Sequence, residues 1–104
     1  MARIRKSTKG FTIIELSFDE RQTIGWESNC EKCEKQEKPS HYHERREMFY
    51  VATVDDLMCQ ECYEEWYANN NYTPNQKEHE ELEINRLLTL LKEKEINWTV
   101  SVVD

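Results

Sequence analysis

The sequence predicts a single small α+β domain with short antiparallel strands and two helices. Three observations carry that expectation. The segments "FTIIELSF" (residues 11–18) and "WTVSVV" (98–103) alternate apolar and polar residues with the period of a half-buried strand. Ile84, Leu87, Leu88 and Leu91 recur at i, i+3, i+4 and i+7, the apolar stripe of a helix lying on a sheet. All four cysteines fall in two Cys-x-x-Cys pairs, Cys30 with Cys33 and Cys59 with Cys62, a spacing that grips a metal ion and cross-links a chain with little core.

The need for a cross-link follows from composition. Of 104 residues, 38% are hydrophobic and 34% charged, against usual shares of roughly one half and one quarter. A chain this short buries only about 60–65% of the surface its unfolded form exposes. Net charge is −7, unevenly spread: residues 1–52 hold 10 basic and 9 acidic groups, residues 53–104 hold 4 and 12. An acidic body repels phosphate backbones, so unspecific nucleic-acid binding is disfavoured except through a local basic patch.

Residues 1–10 read as a basic N-terminal arm, "ARIRKSTKG" following Met1, and residues 11–104 as one domain. A signal-peptide reading of the arm and the apolar run after it fails, because the run is short, Glu15 interrupts it and no small-residue cleavage site follows. No segment reaches the roughly 20 apolar residues needed to span a bilayer. The expected location is cytoplasmic, with no membrane partner, and there paired cysteines bind metal or do redox work more often than they form structural disulfides.

The domain's elements follow in order. In the first strand Ile14, Leu16 and Phe18 share one face, with Glu15 and Ser17 on the other, and "DERQTIGW" turns. Residues 27–47 are strongly polar and contain Pro39, which suits a loop that something else must anchor. "MFYVATVDDLM" is β-branched and aromatic around Val51 to Val54, with a turn at the two aspartates, and reads as one or two short strands. From Cys59 to about Asn69, Tyr63, Trp66 and Tyr67 recur at helical spacing, until "NNNYTP" breaks the helix. Thr73, Pro74 and Gln76 form a start signal for the second helix, a Thr-x-x-Gln capping box with proline at the first position. A metal-binding module thus spans 27–69, and a C-terminal helix plus strand 73–103, whose strand can pair with the first.

Four thiolates satisfy tetrahedral zinc at about 2.3 Å each and leave no open position, so the ion would be structural. Twenty-five residues separate Cys33 from Cys59, which matches the polar excursion. The second pair lies where a helix starts, and the partial positive charge there favours anionic ligands. The rival readings fit less well. A thioredoxin-type site lacks its Trp-Cys-Gly-Pro-Cys surroundings and leaves the other pair unexplained. Iron in a rubredoxin-like site usually has glycine after each knuckle, where Glu34 and Tyr63 stand. His41 and His43 could join a metal site, but their charged neighbours suit solvated side chains.

A knuckle "CEKC", a hairpin, and a helix start "CQECYEEW" that delivers the second ligand pair resemble the treble-clef class of zinc fingers over residues 30–69. That class serves many functions, so the resemblance implies structural zinc at Cys30, Cys33, Cys59 and Cys62 without fixing a role. Its HNH nuclease branch implies a general-base histidine in the hairpin, a further metal ligand in the helix and a basic surface. Here His41 and His43 precede the strand in "SHYHERRE" without the Asp-His doublet, and the helix "YEEWYANNN" has asparagines at its far end only.

No nucleophile-base constellation or phosphate-binding glycine loop is present, and the only glycines are Gly10 and Gly25. The expected function is a non-enzymatic zinc-binding module that engages another protein. The alternatives are a nucleic-acid-binding regulator contacting phosphates through Arg3, Arg5, Lys6, Lys9, Arg45 and Arg46, and, with fewer matching residues, an HNH-like nuclease. The aromatics Trp26, Tyr50, Trp66 and Tyr67 suit packing more than base stacking. The run "KEHEELE" (77–83), including His79, reads as a solvated helix face.

Overall fold

A computed structural model describes residues 2–26, 30 and 46–102. The strands are β1 (Ala2–Lys6), β2 (Thr12–Leu16), β3 (Met48–Val51), β4 (Asp56–Met58) and β5 (Trp98–Val102). The helices are α1 (Phe18–Thr23), α2 (Gln60–Asn69) and α3 (Lys77–Glu93), the last preceded by a 3₁₀ turn, Pro74–Gln76. One five-stranded sheet runs in the order β4, β3, β2, β1, β5. All pairs are antiparallel except β1 with β5, which are parallel with Ile4 opposite Val100. The all-antiparallel expectation therefore fails at one edge, because the 17-residue α3 carries the chain across the sheet before β5 begins.

The segment expected to be a basic arm is, over Ala2–Lys6, the strand β1, zipped between β2 and β5. Its Ala2 and Ile4 are buried while Arg3 is exposed and Arg5 half-buried, a period-two pattern that the density of basic residues and the exposed Lys6 at its end obscure. Phe18 is not part of the first strand either. Ser17 ends the extended run and caps α1, its hydroxyl accepting from Glu20 N–H while the Glu20 carboxylate accepts from Ser17 N–H. A Ser-x-x-Glu box was thus the readable signal for a third helix.

The helices cover both sheet faces. α3 lies over the face carrying Ile4, Ile14 and Tyr50, burying Leu87 and Leu91, with Ile84 and Leu88 partly buried. Glu80 and Glu83 of α3 reach this face at Thr12 and Tyr50. α2 covers part of the other face, where Tyr63 stacks on Phe49 with ring centroids 4.8 Å apart. Trp66 packs on Phe11 at 4.7 Å and Trp26 on Tyr50 at 5.1 Å, so these aromatics fill the core. The β3–β4 turn needs a left-handed residue, and Asp55 takes it at φ 53°, accepting a 2.6 Å hydrogen bond from the Tyr50 hydroxyl.

Candidate metal centre

The β3–β4 hairpin aims the chain at the start of α2, and there the second cysteine pair sits. Cys59 is the residue before the first helical turn, extended at φ −69°, ψ 167°, and its carbonyl accepts from Tyr63 N–H at 2.9 Å. Its sulfur makes no capping hydrogen bond. Cys62 follows in the first turn, one turn before Trp66, and both are buried in the core. Cys30, from the otherwise polar segment after α1, is fully buried.

The Sγ atoms of Cys30, Cys59 and Cys62 all lie within 4.8 Å of one another. A tetrahedral zinc with 2.3 Å bonds sets its sulfurs about 3.8 Å apart, so the cluster needs only a small contraction to close on an ion. No disulfide joins any two of the three. A cysteine triad at this spacing could hold a soft or borderline divalent ion, and soft thiolate ligands select zinc, Cu(I) or iron–sulfur chemistry over magnesium or calcium. Cys33, the fourth expected ligand, lies outside the described residues, as do His41, His43 and Arg45.

Of the basic residues expected to contact phosphate, Arg3, Arg5, Lys6, Lys9 and Arg46 are among the described residues. Arg3 and Arg5 reach the Glu15 carboxylate at 4.0 and 3.6 Å. Lys6 donates to the Thr12 hydroxyl at 2.9 Å and stands 3.8 Å from Glu80. The Lys9 ammonium donates to the carbonyls of Tyr67 and Asn70 and so caps the end of α2, where cations suit the helix dipole. Arg46 is exposed and lines a cleft together with Glu15, the carboxylate that Arg3 and Arg5 reach.

That cleft, about 520 Å³, adjoins the metal centre and is lined by Glu15, Arg46, Glu47, Phe49, Cys59, Gln60, Glu61 and Glu64. Burial pushes the Glu15 carboxyl up to about 7, reinforced by a hydrogen bond with Glu47 and by its charge, against the opposing pull of Arg5 and Arg3. No local pattern hints at this pairing, since Glu15 stands at the outward position of an amphipathic strand. Glu80 is a second surprise. It is buried, accepting from the Thr12 N–H and hydroxyl at 3.1 Å each, so its part of the acidic run seals α3 to β2 and is not solvated. His79 beside it is exposed.

No protein-family model, curated protein or solved structure matches the chain, so the reading of the centre rests on its own geometry. Among the described residues no helix is long and apolar enough to cross a membrane.

Proposed function

We propose that the chain is a non-enzymatic, zinc-stapled interaction module, with a structural ion held by Cys30, Cys33, Cys59 and Cys62 in a treble-clef-like arrangement. The observation that carries this is the convergence of three buried sulfurs from distant parts of the sequence at the hairpin-to-helix junction. Four thiolates around Zn²⁺ leave a net charge of about −2 and no open coordination position, which favours a scaffold over a catalyst.

The partner of this reading is a protein segment bearing lysine or arginine, received in the cleft beside the ion. Glu47, Glu61 and Glu64 supply acidic walls, and Phe49 an apolar floor that a long basic side chain can lie along. A nucleic-acid role draws less support, because Arg3, Arg5, Lys6 and Lys9 are each engaged within the fold. The test is paired affinity capture with the native chain and a Glu61→Lys/Glu64→Lys bait of equal zinc content. The reading expects a partner held by the native bait alone and released as salt is raised. An identical set of captured proteins on both baits, or capture of nucleic acid alone, counts against it.

A further inference from the structure

Natural sheets guard their edges with short strands, charged residues, proline or bulges. β4 meets that description, being three residues long, starting at Asp56 and following the left-handed Asp55. β5 does not. Its five residues, Trp98–Val102, contain no charge and no proline in a chain that is 34% charged. Thr99, Val100 and Ser101 are all exposed, and Val100, at 71%, is the most exposed large apolar side chain among the described residues.

The direction of the backbone groups follows from the ladder. Asn97 accepts from the Ala2 N–H at 3.0 Å, and in a parallel pair alternate residues bond to the neighbour. Thr99 and Ser101 therefore spend their backbone groups on β1, and those of Trp98, Val100 and Val102 point away from the sheet. The outward groups belong to the three apolar positions of the strand.

We propose that β5 pairs antiparallel with β5 of a second copy of this chain, about a two-fold axis at Val100, joining two five-stranded sheets into one. The sequence of the strand is self-complementary in that register. Val100 stands opposite Val100 of the second copy, Trp98 opposite Val102, and Thr99 opposite Ser101, so apolar meets apolar on one face and hydroxyl meets hydroxyl on the other. The three apolar positions fall in hydrogen-bonded pairs, giving about six new backbone bonds. Registers shifted by two residues keep the same match but pair only three residues of each strand, so this one, which pairs all five, forms the most backbone bonds. The net charge of −7 does not oppose it locally, since the charged residues of the neighbouring strand, Arg3, Arg5 and Lys6 of β1, are basic and face Glu15 or Glu80. A strand pair buries less than the roughly 1,000 Å² of a stable interface, so the dimer is weak and concentration-dependent.

Sedimentation equilibrium of the full chain reads this directly. The mass should climb from 12.6 kDa toward twice that as the chain is concentrated to about 1 mM. Val100→Lys puts like charges on the axis and should raise the dissociation constant by about tenfold or more, with circular dichroism unchanged. In Val100→Cys the two Cα atoms would lie about 5.5 Å apart, within disulfide reach, so mild oxidation with oxidised glutathione should cross-link this variant in preference to Ser101→Cys. A monomer at every concentration overturns the proposal. So does a folded Val100→Lys chain that dimerises as before, and so does Val100→Cys cross-linking no better than Ser101→Cys, an arm that stands even if the lysine variant fails to fold.

Discussion

A carboxylate enclosed in a helix-sheet seam must have its charge answered by fixed donors, and Glu80 is answered by the Thr12 N–H and hydroxyl, with Lys6 nearby. Glu80→Ala leaves a buried N–H without a partner and should cost about 2–3 kcal/mol, read as a lower urea midpoint with metal content unchanged. Glu15 acts through its proton. Its raised carboxyl binds a proton more tightly in the folded chain than in the unfolded one, so its contribution is full below about 4.5 and is lost as pH rises toward about 7. Glu15→Gln should remove that fall. The difference in thermal midpoint between Glu15→Gln and the native chain, in excess zinc to hold the thiolates loaded, should therefore grow in the variant's favour across this interval. A difference that is flat with pH would show that Glu15 titrates as an ordinary carboxyl.

At the scale of elements, α3 shows how a helix is written at both ends. The Thr73 and Gln76 box opens the 3₁₀ turn that leads into it, and at its close Ile96 N–H bonds the Leu91 carbonyl and Glu95 N–H the Lys92 carbonyl, a Schellman motif. That motif forces Glu95 to φ 59°, an acidic, non-glycine residue at a negative helix end. Glu95→Gly should stabilise the chain by about 1 kcal/mol, seen as a thermal midpoint several degrees higher. The capping box, the leucine stripe and the hairpin before Cys59 were legible because each is set by residues close in sequence. β1 and α1 were not. In β1 the charges of Arg3, Arg5 and Lys6 hid a strand that exists because β2 and β5 flank it, and in α1 an alternating run continued past Ser17 as if still extended. The Cys-x-x-Cys spacings announced the ligands, whereas the Glu15 and Glu47 contact depends on β2 and the start of β3 lying side by side, which no local pattern records.

For the whole molecule, the polar segment after α1 has little apolar surface with which to hold itself to the sheet. Cys30 supplies the attachment, fully buried against two cysteines 29 and 32 positions later. Closing a loop of that length by a cross-link is worth about 3.5 kcal/mol in chain entropy alone, a large share of the stability of a small domain. The ion is therefore expected to belong to the fold itself and not to decorate a finished one. Native mass spectrometry of the chain purified without chelator, repeated after chelation alongside circular dichroism, tests this most directly. The account expects one zinc ion per chain and loss of ordered structure when it is stripped; a metal-free chain with the same spectrum and the same thermal midpoint would contradict it.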